Sequence, residues 1–415
     1  MAREEIITGL DIGSSMVRVA MGQLDVNGRG IQILGVAEAP ADGLNKGSVT
    51  SIEDAVSSVS SALEAVERMT GIPVEHAYLG IGGTHISAQE SHGVVAVSKA
   101  DGEIKEEDIE RVVEAAQAVA TPPNYEILHV LPRSFTVDNQ KGIKDPVGMT
   151  GIRLEVDAQI IQGLSAQVKN ITKCVYRTGV DISDVVVGVL AASESVLTKR
   201  QKDLGVALVN LGGATTSVLV FEEGDVLHAA ILPIGAAHIT NDIAIGLRTS
   251  IDIAERIKLE YGTALVNDVP KREEIRLEEF SEQENGVVER KHVAEIIEAR
   301  CEEIFKMVEK ELVKVDRSGL LPAGIVLTGG GAKLPGLVEI AKREFRLPAF
   351  VGYPQNIAQT PVDKINDPSW STAVGLVVWG ASLATKQGGG LTMPRFSSVA
   401  DVTGKMRKWF KSLIP

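Results

Sequence analysis

The chain has 415 residues, of which 44% are hydrophobic and 23% charged, a composition that indicates a folded protein too long for one ordinary core and excludes wholesale disorder. Its 55 acidic and 42 basic residues give a net charge of −13, which disfavours nucleic acid as a partner of the main body. The two cysteines, Cys174 and Cys301, form no CxxC pair, which argues against a zinc site or disulfide framework and fits a reducing cytoplasm.

No stretch of the sequence approaches the roughly 18 uninterrupted apolar residues that span a bilayer. The N-terminal segment begins with charged residues and lacks the apolar centre of a signal peptide. We therefore expect a soluble protein, or one bound to a membrane only peripherally.

The first 83 residues predict four strands, a glycine turn and one helix. Apolar runs predict strands over 6–10, 16–22, 31–37 and 77–81, with the turn Gly13-Ser14-Ser15 between the first two. Apolar residues at helical spacing predict a helix over 52–69.

Residues 84–162 break this pattern. They contain one strong helical segment, Glu106 to Val119, flanked by predicted short strands and by a Pro/Gly-rich stretch at 141–151. This arrangement predicts an inserted α+β module.

The opening plan of strand, turn and strand returns about 200 residues later, which suggests an internal duplication. Any α/β protein contains such units, so spacing alone leaves both interpretations open. The predicted strands are 205–210, 216–221, 226–232 and 324–327, and the predicted helices are 238–261 and 292–315. The densely charged residues 270–286 predict an exposed excursion.

Three glycine-rich turns, each after an apolar strand, carry the candidate chemistry. Backbone N–H groups in such turns can hold phosphate oxygens, because glycine lets the chain approach closely. One such turn alone is more often a plain turn, whereas three in this order and spacing favour a phosphate site. The candidate binding residues are Gly13, Ser14 and Ser15; Asn210, Gly212, Gly213 and Thr215; and Gly329, Gly330 and Gly331.

Two charged residues flank the first turn. Asp11 precedes it, and a carboxylate there can hold Mg²⁺ directly or through water. Arg18 lies on the following strand and can contact a phosphate. The sequence contains no GxxxxGK[ST], so a P-loop is not expected, and residues 80–83 do not complete a dinucleotide-binding GxGxxG.

The end of the chain predicts a flexible linker over 386–397 and an amphipathic helix over 398–415. Without the four basic residues of this helix, the remaining residues of the chain, Asp401 included, carry a net charge of −17. A basic amphipathic helix suits an anionic bilayer, and docking on the protein's own core or on a partner is the alternative. The predicted membrane-contacting residues are Met406, Trp409, Phe410 and Leu413 on the apolar face, with Lys405, Arg407, Lys408 and Lys411 beside them or on the polar face.

The three turns resemble the phosphate-1, phosphate-2 and adenosine motifs of the superfamily of actin, heat-shock chaperones and sugar kinases. This resemblance implies two duplicated domains that close on ATP and Mg²⁺. Glu255 and Lys258, in AERIKLEYG, are similar to the helix residues that line the ribose and adenine in that superfamily. Because they are three residues apart, both can face one cleft, although an ordinary surface ion pair is the alternative.

Asn210 departs from the superfamily pattern, in which many members carry an aspartate that organises the metal and the attacking water. An amide supplies no negative charge and no base at neutral pH, so we expect weak or no ATPase activity. No catalytic residue is assigned, and Glu194 is as well explained by an exposed or helix-capping role.

The inserted module narrows the resemblance to the FtsA family of bacterial cell-division proteins, and the similarity covers nearly the whole chain. The similar segments are 127–133, 136–138, 145–149 and 153–156. The resemblance implies an actin-like, ribonuclease H-like α/β fold with a duplicated two-domain body, an inserted α+β subdomain and a C-terminal amphipathic helix. The predicted divisions are a first domain of 1–83, 163–203 and 367–385; the insert, 84–162; a second domain core of 204–235 and 317–366; and a helical subdomain, 236–316.

The resemblance also implies a function. It predicts a protein that binds ATP and Mg²⁺, polymerises on the cytoplasmic face of the cell membrane at the division septum and anchors the FtsZ ring. The implied partners are the FtsZ C-terminal peptide, further copies of the chain, anionic lipid and other division proteins, with no nucleic acid. One alternative is a type IV pilus platform protein of the PilM kind, which needs no lipid-binding tail. Another is a sugar-kinase-type phosphotransferase, which needs an aspartate base that no motif here supplies.

Overall fold

The structure is a computed structural model that describes residues 6–24, 30–98, 102–270, 272–281, 286–358, 362–387 and 397–398. In chain order, the elements up to residue 204 are β1 (Ile6–Ile12), β2 (Met16–Leu24), β3 (Ile31–Pro40), β4 (Leu44–Asn45), β5 (Ser48–Val49), α1 (Ile52–Thr70), β6 (His76–Ile81), β7 (Ile86–Ala96), α2 (Glu106–Ala120), β8 (Tyr125–Val137), β9 (Gln140–Ile143), β10 (Arg153–Leu164), α3 (Ser165–Tyr176), β11 (Asp181–Val187), α4 (Gly188–Val196) and α5 (Lys199–Leu204).

The elements that follow are β12 (Val206–Leu211), β13 (Thr216–Glu222), β14 (Asp225–Leu232), α6 (Ala236–Leu247), α7 (Ile251–Tyr261), β15 (Glu274–Arg276), β16 (Val287–Glu289), α8 (Arg290–Lys314), β17 (Ile325–Thr328), α9 (Leu337–Phe345), β18 (Ala349–Val351), α10 (Ser371–Gln387) and β19 (Ser397–Ser398). Short 3₁₀ turns lie at 266–268, 277–279, 330–333, 363–365 and 368–370.

Two five-stranded sheets share one topology. The first has the order β3-β2-β1-β6-β11 and the second the order β14-β13-β12-β17-β18. In both, the first three strands pair antiparallel and the last two pair parallel. The predicted duplicated α/β fold is therefore confirmed, with each sheet forming the centre of one domain.

Helix α10 returns the chain from the second domain to the first. It packs on β1 and on α4, and its approach to α4 is very close. A Cβ at Gly375 would stand 2.0 Å from the carbonyl oxygen of Ala191, so only glycine fits there. The return of the chain at α10 is thereby fixed against α4 and β1 of the first domain.

The inserted module is a sheet covered on one face by α2. Its strands have the order β8-β10-β7, with β9 pairing with β8, and β19 from near the end of the chain also pairs with β8. The expectation of short strands is wrong, since β8 has 13 residues and β10 has 12. The register shifts between Ala158, opposite Pro132, and Asp157, opposite Ser134, so a bulge beside the proline lets β8 continue past a residue that usually ends a strand.

Two further expectations are corrected. The helix predicted over 238–261 is two helices, α6 and α7, because Arg248 takes a left-handed φ of 56° and Ser250 caps the start of α7. The charged segment near 270–286 is not wholly exposed. Its described part forms the β15–β16 hairpin and buries Ile275 and Phe280 in the second domain's core.

Among the described residues, no helix combines the length and apolarity needed to cross a membrane. The amphipathic helix predicted over 398–415 lies outside the described residues, apart from Ser398 in β19. The predicted membrane contacts named above therefore stay sequence-based predictions.

Candidate functional site

A cavity of about 610 Å³ opens between the two domains, a volume typical of small-molecule sites. Every residue that the sequence predicts to bind the cofactor lines this cavity. They are Asp11, Gly13, Ser14, Ser15, Arg18, Asn210, Gly212, Gly213, Thr215, Glu255, Lys258, Gly329, Gly330 and Gly331. The structure thus brings together residues that are more than 300 positions apart in the sequence.

The first two glycine turns have the same hydrogen bond in the two domains. In the β1–β2 turn the N–H of Gly13 donates to the carbonyl oxygen of Met16 at 3.1 Å, and in the β12–β13 turn that of Gly212 donates to Thr215 at 2.9 Å. The duplicated sheets therefore present equivalent turns from opposite sides of the cleft.

The third turn is held by the segment that precedes α10. The Thr328 hydroxyl lies 2.7 Å from that of Ser371, and the N–H of Gly329 donates to the carbonyl oxygen of Pro368 at 3.1 Å. Thr328 and Ser371 are both buried. The end of β17 is thereby fixed to the start of α10, so the third turn is positioned by the connection between the domains.

The two charged residues that the first domain contributes to the predicted site lie next to each other. Asp11 and Arg18 are cross-strand partners in β1 and β2, and the Arg18 guanidinium also lies 3.1 Å from the Glu38 carboxylate. Burial raises the pKa of Asp11 to about 6, and the charge of Arg18 opposes that rise. A cation placed beside Asp11 would favour its ionised form.

The donor set limits how a metal could be held. Within the described part of the chain, no group of three or more His, Cys, Asp or Glu side chains is arranged to hold an ion. Mg²⁺ commonly uses one or two carboxylates, with phosphate oxygens and waters completing its octahedron. Asp11 therefore fits Mg²⁺ as one contributor to an ion that a bound phosphate also holds.

Glu255 and Lys258 form an ion pair inside the cleft. The Lys258 Nζ lies 2.6 Å from the Glu255 carboxylate and 2.9 Å from the Thr240 hydroxyl. Lys258 is 11% exposed and Glu255 is 41% exposed, so the pair is half-buried, with its lysine inside the protein. Both side chains line the cavity on the helical side of the second domain.

Among the described residues that line the cavity, the acidic side chains are Asp11 and Glu255, and position 210 contributes an amide. The Asn210 Nδ2 lies 3.5 Å from the Thr372 hydroxyl, at the start of α10. Glu194 does not line the cavity and instead pairs with Lys202 at 2.8 Å. Glu194 therefore forms a partly buried ion pair outside the cavity, which is neither the exposed nor the helix-capping role considered from the sequence.

The chain matches two family models. The one described as "Cell division protein FtsA" matches residues 207–375, and "SHS2 domain inserted in FTSA" matches residues 83–162. The chain is 38% identical over 412 residues to the cell division protein FtsA of Pseudomonas aeruginosa, covering 98% of this chain and 97% of the relative. The chain belongs to the FtsA family of cell-division proteins. It is also 38% identical over 388 residues to FtsA of Bacillus subtilis, covering 94% and 86% of the two chains.

Solved structures share the actin-like fold of this FtsA-family chain. The PilM–PilN type IV pilus biogenesis complex matches with a TM-score of 0.65 at 15% identity, covering 90% of this chain and 98% of that one. MreB5 of Spiroplasma citri bound to ADP matches with a TM-score of 0.57 at 11% identity, covering 93% and 99%. At these identities the similarity shows the fold alone, so the pilus-platform alternative has no support from the sequence comparisons.

Several cavity residues of this FtsA-family chain were missed by the sequence analysis. Gly82 follows β6 and Gly188 follows β11, and both line the cleft. Both could have been predicted from the sequence, because the carboxyl ends of neighbouring parallel strands meet at one edge of a sheet. Ser369 and Thr372 carried no such signal, since only the packing of α10 brings them there.

Proposed function

We propose that this FtsA-family protein binds ATP with Mg²⁺ in the interdomain cleft, polymerises on the cytoplasmic membrane at the division septum and anchors the FtsZ ring there. The proposed nucleotide binding rests on one observation: three glycine turns from the two duplicated domains line the same cavity. The family membership carries the role in cell division.

Each group of cavity residues has a distinct role in this proposal. The N–H groups of Gly13, Gly212 and Gly329 are used within the protein, so the residues that follow them in the three turns would direct their N–H groups and hydroxyls towards the phosphates. Asp11 holds the metal that the phosphates carry. Glu255 and Lys258 face the ribose and adenine. The structures of MreB5 with ADP and with AMPPNP show that a protein of this fold accommodates an adenine nucleotide.

Bound Mg²⁺ would neutralise phosphate charge. Orienting and deprotonating a water would require side chains of the protein. Asn210 donates to Thr372 and offers no carboxylate to orient or deprotonate a water. We therefore propose that nucleotide acts mainly as a ligand for assembly and that hydrolysis is slow. Single-turnover assays compare the wild type with Asn210→Asp, and equally fast hydrolysis by both would contradict this role of Asn210.

The filament would use contacts between copies of the chain, and the insert would contact neighbouring subunits and later division proteins. The helices of the second domain would receive the FtsZ C-terminal peptide. The tail at 398–415 would hold the acidic body at anionic lipid.

Electron microscopy on anionic lipid monolayers tests assembly directly. We expect filaments with the full chain, lipid and Mg-ATP together, and none when residues 398–415 are deleted. Filaments that form equally well without lipid, tail and nucleotide would contradict the proposal.

Fluorescence anisotropy with a labelled FtsZ C-terminal peptide tests the anchoring role separately. Saturable binding to the full chain is expected, and a peptide with the same composition in scrambled order is the control. Equal affinity for the two peptides, or no binding, would exclude the FtsZ anchor while leaving the nucleotide site intact.

A further inference from the structure

The insert, residues 84–162, is rooted in the first domain but also contacts the second. Its chain leaves the first domain after β6 and returns to it at α3. Between these points its sheet packs against β14, which is the edge strand of the second domain's sheet. The two domains are therefore connected through the insert as well as through the chain crossings at α5 and α10.

Two polar contacts between described residues contribute to this connection, and we call them the seam. Lys144, just after β9, has its Nζ 2.9 Å from the Asp225 carboxylate and 2.6 Å from the carbonyl oxygen of Glu223. On β10, the Nε2 of Gln159 lies 3.4 Å from the Nδ1 of His228, whose Nε2 lies 3.0 Å from the Glu311 carboxylate. Each contact joins the insert to β14 or to the turn before it.

Lys144, which is 44% exposed, contacts three acceptors on one turn rather than a single carboxylate. The Glu223 carboxylate is a third partner at 3.2 Å, and Asp225 is only 21% exposed. Partial burial lowers the pKa of Lys144, but the hydrogen bonds to Asp225 and Glu223 outweigh that effect and raise it. Lys144 is thus held in its charged form, with several charge-assisted contacts to one turn.

The turn that Lys144 contacts lies beside the chain crossing from the first domain to the second. The N–H of Gly224 donates to the carbonyl oxygen of Lys202 at 3.0 Å, and that of Glu223 donates to Asp203 at 3.2 Å. Both acceptors belong to α5, the last helix before the chain enters the second domain. A rotation that opens the cleft moves β14, with Asp225 and His228, relative to the first domain. Because the insert is rooted in the first domain, that rotation must break the seam or slide it.

We propose that Lys144 is a positioning residue for nucleotide retention, because it fastens the insert to the β13–β14 turn and so holds the cleft closed. This inference rests on the proposed nucleotide binding. Coupling between two sites is reciprocal, so a closed cleft also strengthens the seam, and any partner that pulls the insert from β14 speeds nucleotide release.

Stopped-flow displacement of a fluorescent ATP analogue from the full chain, with Mg²⁺, tests the inference. We expect Lys144→Glu to speed nucleotide dissociation about fivefold, the effect of losing one strong partly exposed ion pair. The association rate should be unchanged, because binding begins from the open cleft. Lys144→Arg should behave as the wild type. Lys141→Glu is the control, since Lys141 is exposed on β9 and carries the same charge change.

Exchanging the charges of Lys144 and Asp225 makes the test specific for the contact between them. Asp225→Lys alone should also speed nucleotide dissociation. Lys144→Asp combined with Asp225→Lys should return the dissociation rate to the wild-type value. Equal dissociation rates for the wild type and Lys144→Glu, with nucleotide bound in both, would overturn this inference and leave the proposed function standing. A wild-type chain that binds no labelled nucleotide would overturn the proposed function instead.

Discussion

The hydroxyl of Ser15, in the first domain, fills the space beside Gly213, in the second. A Cβ on Gly213 would stand 2.4 Å from the Ser15 Oγ but 3.7 Å from the Ser15 Cβ. The hydroxyl alone is therefore the obstacle, since the larger distance is an ordinary van der Waals contact. The two equivalent turns meet across the cleft at this point, and Gly213 leaves room for the serine hydroxyl.

Gly213→Ala should weaken Mg-ATP binding about tenfold, because the added methyl group displaces the Ser15 hydroxyl or separates the turns. In a Ser15→Ala background the same change should cost almost nothing, since the obstacle is gone. Calorimetric titration of the four chains measures this double-mutant cycle. An equal penalty in both backgrounds would show that Ser15 is not the cause.

Gly329 and Gly330 are neighbours with opposite tolerance for a side chain. Gly329 has a φ of 85°, and a Cβ there would stand 2.3 Å from the Asn210 Oδ1, whereas a Cβ at Gly330 meets nothing within 4 Å. Gly329→Ala should lower the free energy of unfolding by about 3 kcal/mol. Gly330→Ala should change it by less than about 0.5 kcal/mol. Chemical denaturation measures both, and similar losses would contradict the geometry.

The duplicated sheets and the cleft could be predicted because their signals are local. Strands such as β1 and β12 are apolar runs that end in glycine turns, and these turns lie where the carboxyl ends of strands meet. The order of the turns along the chain then placed Asp11, Asn210 and Gly329 in one site. The structure places all three in the same cavity.

Other features depend on contacts that no local pattern reveals. Arg248 ends α6 in a left-handed conformation that a non-glycine residue rarely takes, so the sequence predicted one continuous helix. Thr372 enters the cleft only because α10 packs back on the first domain. Lys144 and Asp225 are 81 residues apart and meet only because the insert lies against the second domain.

Asp11→Asn tests the metal position without changing the size of the side chain. We expect Mg-ATP to bind about tenfold more weakly, because an amide cannot replace a charge-assisted contact to the metal. Binding of ATP without Mg²⁺ should stay the same or improve, and this is the internal control. An unaltered Mg-ATP titration would mean that the first turn has no part in holding the metal.

His129 should make stability fall in mildly acidic conditions. It is fully buried, its Nε2 accepts the Val187 N–H at 3.1 Å, and burial lowers its pKa from 6.5 to about 3. The unfolded chain therefore takes up a proton near pH 6.5, while the folded chain does not until about pH 3. The stability from neutral His129 is complete above the unfolded pKa and is lost as the pH falls towards the folded one.

His129→Gln isolates this contribution, because the amide oxygen can still accept the Val187 N–H. Between about pH 7.5 and about pH 5, the wild type should lose about 2 kcal/mol more stability than the variant. Urea denaturation at several pH values measures the difference. Parallel pH profiles for the two chains would show that His129 is not the titrating group.

Trp409 should decide whether the tail inserts into lipid or is only attracted to it. Trp409→Glu replaces an apolar anchor with a negative charge, and we expect sedimentation with anionic liposomes to be lost. Ser412→Glu adds the same charge away from the predicted apolar face, and it should keep most of the binding. Unchanged sedimentation of Trp409→Glu would contradict the membrane proposal. An equal loss in both variants would show that net charge, rather than insertion of the apolar face, holds the protein at the bilayer.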